Sequence, residues 1–385
     1  MKSFKNFCVN AFSTVKNAFR KSVEFTKDFI HDPPFHIIKK ASISTYKALL
    51  IRILSVVIAL LFCSVLSIFL IDANPLEFII AMFSGTFRSS RNIWKFLKAT
   101  AVLLCISLAV TPAFRMKFWN IGAEGQTLIG AIAATAVAFY LGGKMPNAIL
   151  LILMLISAIL AGAIWAGIPA LFKAKWNTNE TLFTLMMNYI ASGLLAFFLL
   201  LWSLNGSSMG ALKFGHLPVI LNDYLLLIIV VLIITVLMYI YLQYTKQGYE
   251  ISVVGESENT AKYIGIKVGK VIIRTMLISG AVCGLAGFLI VGALDHSVSD
   301  TTVGGLGFTA IMVSWLAKFN PFIMIGTAAF ITFLDQGSEE ISTIFNVSTS
   351  FPDMVVGIIL FFIIGCEFFI NYSIKKSDRK KKEEN

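Results

Sequence analysis

The sequence predicts an all-α, polytopic transmembrane helical bundle of about ten spans with both termini in the cytoplasm. Three observations carry that expectation. Charged residues make up only 14% of the chain, against roughly 25% in an average soluble protein. The mean hydropathy is +0.81. The apolar residues are also gathered into long runs: Ala148–Phe172, Thr181–Leu212, Tyr224–Thr245 and Thr275–Leu294 contain no Asp, Glu, Lys or Arg. About 20 apolar residues cross a bilayer as a helix. Runs of this length exclude the alternating strands of about ten residues that build a membrane barrel.

In chain order, the predicted span cores are Leu49–Ile71, Leu97–Ala113, Ile121–Leu141, Ala148–Phe172, Leu182–Leu204, Tyr224–Tyr244, Ile272–Leu294, Leu306–Ala317, Phe322–Leu334 and Phe351–Ile370. The eighth and ninth are short, and either fits a half-helix that enters and leaves by one face. Ahead of the first span, residues 1–48 carry nine Lys or Arg. There Phe4–Phe29 mixes Phe with Lys, which suits either an amphipathic helix on an anionic inner leaflet or a weakly ordered basic tail. The apolar stretch lies too far from the start, and is too long, for a signal peptide. The domain reading is therefore a basic cytoplasmic segment 1–48, a transmembrane domain 49–373 and a basic tail 374–385.

Basic residues set the orientation. The tail carries six Lys or Arg between Lys375 and Lys382, so both ends are assigned to the cytoplasm and the span count is even. Arg115, Lys117, Lys173, Lys175, Lys246, Lys262, Lys267 and Lys270 then fall inside. The outer segment 72–96 departs from the rule with Arg88, Arg91 and Lys95, and is read as an amphipathic surface helix. The net charge of +11 comes mostly from the two ends. It argues for orientation and contact with membrane lipid, not for nucleic acid.

Several chemistries are excluded. The five cysteines, Cys8, Cys63, Cys105, Cys283 and Cys366, form no C-x-x-C pair, which leaves packing as their role and no metal site. The four histidines are scattered. The nearest approach to a P-loop, Gly265-Ile-Lys-Val-Gly269-Lys270-Val271, is one residue short between its glycines and has Val where a hydroxyl holds magnesium. Any ATP would be spent by another subunit. An ion-coupled transporter needs buried ionisable relays, yet only Glu124, Asp295, Asp335 and Glu367 lie near the spans. A membrane enzyme needs a convergent catalytic set, and none is evident.

The informative polar segment is about 245–270. Ala261, Ile264 and Gly265 are three and four apart, so a short helix there shows a small apolar face. Glu256 and Glu258 favour its N-terminus, and Gly265 suits its end. Such a helix between two spans is either a docking element for a partner's groove or an ordinary polar loop.

Phe118-Trp-Asn120-Ile-Gly122-Ala-Glu124-Gly125-Gln126 resembles the F-N-I-G-x-E-G-Q signature of bacterial ABC importer permeases of the branched-chain amino acid, ribose and nucleoside superfamily. Asn179-Glu180 with Thr184-Leu-Met-Met-Asn188-Tyr189-Ile-Ala191, the Gly255–Ile266 loop, Gly284-Leu-Ala-Gly287, Gly304-Gly-Leu-Gly307-Phe308 and Asn320-Pro321 follow in the family's order, over roughly residues 50–370. The full N-I-G-A-E-G-Q with T-L-M-x-N-Y-I-A is most similar to the larger of the two paralogous nucleoside permeases. The resemblance implies a non-catalytic translocation subunit, paired with a paralogous second permease. An ATP-binding subunit with tandem nucleotide-binding domains would use ATP and Mg from below, and an extracellular substrate-binding lipoprotein would deliver from above. It makes Gly255, Asn259, Ala261, Tyr263 and Gly265 the ATPase-docking residues. Alternative cargoes within the superfamily are simple sugars and branched-chain amino acids. The chain departs from the family where Thr309 replaces a frequent acidic residue, and in its long residues 1–48.

The residues nominated for the substrate pathway are Asn120, Glu124, Gln126, Asn188, Phe308 and Trp315. Glu124 faces a cavity, accepts bonds from backbone donors, caps its own helix or lies at the interface. Asn188 contacts a solute or joins two helices, since a buried amide seeks partners. Phe308 and Trp315 are seven apart, on one helix face, and either stack on a base or face lipid or a neighbouring helix. Gly122, Gly125, Gly130, Gly280, Gly284 and Gly287 are read as close-packing positions.

Overall fold

The structure is a computed structural model that describes residues 35–40, 45–71, 74–203, 208–218, 224–348 and 350–376. The expected amphipathic segment Phe4–Phe29 and most of the basic tail lie outside the described residues. The chain divides into two units, residues 1–79 with 347–385, and residues 80–346.

In the first unit, α1 (Thr45–Ile71) and α13 (Ser350–Asn371) are each long and apolar enough to cross a membrane. They pack antiparallel. Arg52 pairs with Glu367, and Ser55 Oγ donates to the Phe362 carbonyl at 2.8 Å. An ion pair on apolar helices satisfies two charges that would be costly alone. Beyond the helix ends, β1 (Phe35–Lys39) pairs antiparallel with β2 (Tyr372–Lys376), with Phe35 opposite Lys376 and Lys39 opposite Tyr372. This small ribbon corrects the all-helical expectation at one place. The strands carry Phe35, Ile37 and Ile38, and Tyr372 and Ile374, residues that favour extended backbone, and the antiparallel helices bring them side by side.

Helix α2 (Pro75–Phe87) runs across the division between the units. It starts at Pro75, and the Asn74 side chain accepts from the Leu76 N–H at 3.0 Å, a cap followed by proline at the first helical position. The expected single surface helix over 72–96 is corrected. The chain breaks after Phe87 and restarts with α3 (Ser90–Arg115), capped by Ser89, so Arg91 and Lys95 belong to the first turns of a crossing helix.

In the second unit α3 is buried continuously from Thr100 to Phe114. A helix apolar all round belongs in the middle of a bundle. Against it pack α7 (Leu225–Tyr244) and α10 (Val268–Leu289), the latter continued as a π-helical turn to Asp295, while α4 (Ala123–Leu141) and α5 (Asn147–Trp176) pack on α10 and on each other, and α6 (Glu180–Trp202) packs on α4. Helices α4, α5 and α10 meet backbone to backbone. A Cβ on Gly130 would lie 2.5 Å from the Gly284 Cα, and one on Gly162 or Gly280 would strike the other's carbonyl. Small residues let helices approach where apolar lipid supplies no hydrophobic drive.

Eight described helices are long and apolar enough to cross a membrane. Eight of the ten expected spans coincide with them, and the short two differ. The eighth is α11 (Leu306–Leu316), eleven residues or about 16 Å of rise, too short to cross alone. The ninth is α12 (Pro321–Phe345), 25 residues, nearly twice its expected length. Sequence polarity ended it at Leu334, but the helix continues because its charges are answered. Arg88 lies 3.7 Å from Glu340, and Lys95 and Lys98 share a pocket with Asp335, Glu339 and Glu340. The same pairing accounts for Arg88 and Lys95, two of the three basic residues that broke the orientation rule; Arg91 is exposed.

Candidate functional site

The site forms where α4 begins. After α3 ends at Arg115, the chain turns through Lys117 in the left-handed region (φ 59°), and residues 118–122 fold back against α6 and α10. Asn120 is fully buried. Its Oδ1 accepts from the Gly122 N–H at 3.0 Å and from Gln126 Nε2 at 3.1 Å, and its Nδ2 donates to Ser279 Oγ at 3.3 Å. Asn188 on α6 accepts from the Gly125 N–H and donates to the Ile121 carbonyl, both at 2.9 Å. Thr184 Oγ1 accepts from the Ile121 N–H at 3.2 Å. Asn188 stands eight residues into α6 and Ser279 eleven into α10, so α4 starts about 12 to 16 Å inside those helices.

Of the nominated residues, the structure therefore brings Asn120, Gln126 and Asn188 into one buried network whose amides are bonded within the chain. Between the two readings of Asn188, the geometry is that of a tie between helices. Gly125 fits beneath it: a Cβ there would come within 2.8 Å of Asn188 Oδ1.

Glu124 is different. Its side chain is partly exposed, and its carboxylate reaches across to the start of α11. Oε1 accepts from the Gly305 N–H at 2.8 Å and Oε2 from the Gly307 N–H at 2.7 Å. Gly305 is in the left-handed region (φ 84°), which only glycine enters at no steric cost. A Cβ at Gly307 would lie 2.8 Å from Glu124 Oε2. The carboxylate thus caps another helix, 181 residues away in sequence, and not its own.

From that cap, α11 descends towards the end of α3, where Ser314 Oγ meets Thr111 Oγ1 at 2.9 Å. Phe308 and Trp315 stand on one face, 43% and 48% exposed. Trp315 lies 5.6 Å from Trp119, which is equally exposed, and both rings meet Phe114 edge-on. Trp119 carries no signal in the sequence. It lies outside any helix, and only the turn at Lys117 brings it to Trp315.

Above the cap, residues 208–218 run against the end of α10. Met209 N–H bonds the Val298 carbonyl and Leu217 N–H the Gly292 carbonyl, at 2.8 and 3.0 Å. His216 Nδ1 and His296 Nδ1 are 2.9 Å apart, a pairing invisible in scattered positions of the chain.

The docking segment is two helices, not one: α8 (Lys246–Glu256) and α9 (Glu258–Tyr263), with Ser257 capping the second. Gly265 ends α9 at φ 84°. Its N–H bonds the Lys262 carbonyl and the Ile266 N–H bonds the Ala261 carbonyl, the two bonds of a Schellman ending. The five nominated docking residues split. Gly255 and Ala261 are buried, Gly255 against the Arg115 carbonyl and Ala261 among Met116, Val254 and Val268. Asn259, Tyr263 and Gly265 are exposed, Tyr263 at 92%.

Residues 92–364 match the family described as branched-chain amino acid transport system / permease component. Curated relatives are similar over most of the chain. The guanosine ABC transporter permease protein NupP of Bacillus subtilis is 30% identical over 78% of this chain and 88% of its own length. The glucose ABC transporter permease protein TsgB13 of Haloferax volcanii is 27% identical over 79% and 84%. The nucleoside ABC transporter permease protein NupB of Lactococcus lactis is 25% identical over 81% and 89%.

Proposed function

The chain belongs to the family of branched-chain amino acid transport system permease components, and on that premise we propose that it carries nucleosides inward as half of the translocation path of an ATP-driven importer. As an ABC transporter permease it is a non-catalytic, multi-pass subunit of the plasma membrane. In the proposal a paralogous permease supplies the other half, a separate ATPase with tandem nucleotide-binding domains uses ATP and Mg, and an extracellular lipoprotein delivers the solute.

One observation carries the nucleoside reading: the exposed face of Phe308, Trp315 and Trp119 beside a polar network with no free amide. Flat aromatic surfaces suit a nucleobase, and among the described residues no ring of charges lines this face to select an ion or an amino acid zwitterion. Two relatives named for guanosine and nucleoside transport support it. A sugar is the second reading, favoured by the relative named for glucose. Competition in vesicles holding the complete complex separates them. Excess unlabelled guanosine or uridine should reduce labelled nucleoside uptake to background, with glucose, ribose and leucine without effect. Inhibition by glucose but not by guanosine would leave only the permease assignment standing.

The topology in this proposal has ten crossings: the eight long apolar helices, α12, and a broken crossing made of residues 296–305 followed by α11. Both termini are then cytoplasmic. The pairing of β1 with β2 supports an even count, and the nine and six basic residues support the side. With Cys8 changed to serine, Lys2→Cys and Lys382→Cys should both resist an impermeant thiol reagent applied from outside. Labelling at either position would overturn this topology.

Helices α8 and α9 are the proposed seat of the ATPase. They rest on the ends of α3, α5, α7 and α10 through one buried cluster, and they present Tyr249, Asn259, Tyr263 and Ile264 outward.

A further inference from the structure

The broken crossing leaves the N-terminus of α11 inside the bundle. Its first amides point towards α4, and its dipole places partial positive charge there. In a solute path such an end is a ready place for an anionic group. Here it is filled from within: the two carboxylate oxygens of Glu124 each take one N–H, from Gly305 and Gly307, at 2.8 and 2.7 Å. The carboxylate remains partly exposed, next to the face that bears Phe308.

We propose that Glu124 is the specificity-determining and positioning residue of the path: its carboxylate is a built-in anion that seats the half-helix α11 and denies its N-terminus to anionic solutes, so that only uncharged solutes pass. This rests on the permease reading and deepens it. The geometry is selective for this role. The Gly305 backbone turns both N–H groups to one side, and Gly307 packs so closely on Glu124 that a Cβ would meet its backbone and its Oε2. Aspartate is one methylene shorter and cannot span both donors. Glutamine presents an NH₂ to one of two N–H groups. Alanine leaves both N–H groups open and a space the size of a small carboxylate.

The test uses vesicles holding the complete complex, with whichever neutral solute the wild type imports, nucleoside or sugar. That choice keeps a failure of the nucleoside reading, visible in the wild type alone, apart from a failure of this one. Glu124→Ala should lower uptake roughly a hundredfold or more, the worth of two hydrogen bonds to a charged group. Millimolar formate or acetate should restore much of it, and acetamide or chloride should not. A solute analogue bearing a carboxylate should inhibit the variant and leave the wild type untouched. A purely structural cap would not change which analogues compete. Undiminished uptake by Glu124→Ala overturns the proposal, as does equal rescue by acetamide. If Glu124→Ala does not assemble, Glu124→Gln keeps one acceptor and supports the same comparison: inhibition by the carboxylate analogue in wild type and Glu124→Gln alike also overturns it.

Discussion

Replacing Gly284 with leucine is expected to abolish the folded chain, the largest effect of any single substitution in the bundle. Gly284 faces two helices at once. A Cβ there would strike the Ala158 carbonyl and lie 3.3 Å from the Ile159 Cα on α5, while on α4 a Cβ at Gly130 would sit 2.5 Å from the Gly284 Cα. Backbone lies on both sides, so no flexible side chain can yield. Overpacking a filled core costs about 1 to 3 kcal/mol even where side chains adjust. Here whole helices must part. Between membrane helices, packing is the main source of association, so separating α10 from α4 and α5 removes what holds them. Gly284→Ala should lower the yield of monodisperse protein in detergent, and Gly284→Leu should leave almost none. Gly193 on α6 is the control, because a Cβ there would meet no atom within 4 Å; Gly193→Leu should fold at the wild-type level. Wild-type yield and thermal stability in Gly284→Leu would contradict the packing argument.

Placing a charge at Ala261 should be the next most severe change, with uptake abolished and ATP hydrolysis no longer answering to solute. Ala261 is fully buried in the cluster that seats α9. A helix of six residues has little stability of its own, so this seat is what orders it. An ionised side chain cannot be buried there without a partner except at several kcal/mol. Ala261→Glu should therefore lift α9 from its place while the crossing helices remain. The cause is the unseating of the helix and not the trimming of its outer face, because Ala261 does not reach the surface. Tyr263 does. Tyr263→Ala leaves the seat intact and removes only exposed area, so it should weaken coupling with unchanged thermal stability of the isolated chain. Normal uptake and solute-stimulated hydrolysis in both variants would show that α8 and α9 are not where the ATPase docks.

Much of this fold is legible in the sequence because a membrane simplifies the code. A backbone in hydrocarbon must satisfy its own hydrogen bonds, so a charge-free run of sufficient length is a helix whatever surrounds it. Eight described helices long and apolar enough to cross follow from that rule alone. It fails where polarity is answered by a distant partner. Asp335, Glu339 and Glu340 read as the end of a span, but Arg88, Lys95 and Lys98 stand opposite and α12 continues past them. It fails again at α11, where an expected span is a helix of eleven residues, too short to cross alone.

At the site, the motif residues are visible in the sequence and their roles are not. Asn120, Gln126 and Asn188 stand out as amides in apolar surroundings, which is equally true of solute ligands and of ties between helices. Burial and bonding of every amide make them ties. Trp119 gives no signal, because a tryptophan between two spans is ordinary until Trp315 lies 5.6 Å away.

Composition and charge by themselves determined that this chain is a helical membrane protein, where the eight long apolar helices lie, and which residue types are out of place in them. These are local properties, set by the cost of exposing backbone and charge to lipid. The tertiary structure alone decided that Glu124 caps a helix 181 residues onward, that Gly284 is closed in by two other helices, and that Ala261 is buried beneath α9 while Tyr263 faces outward. Those are meetings between distant parts of the chain, and the energy of such a meeting depends on how whole helices pack, which no window of neighbouring residues contains.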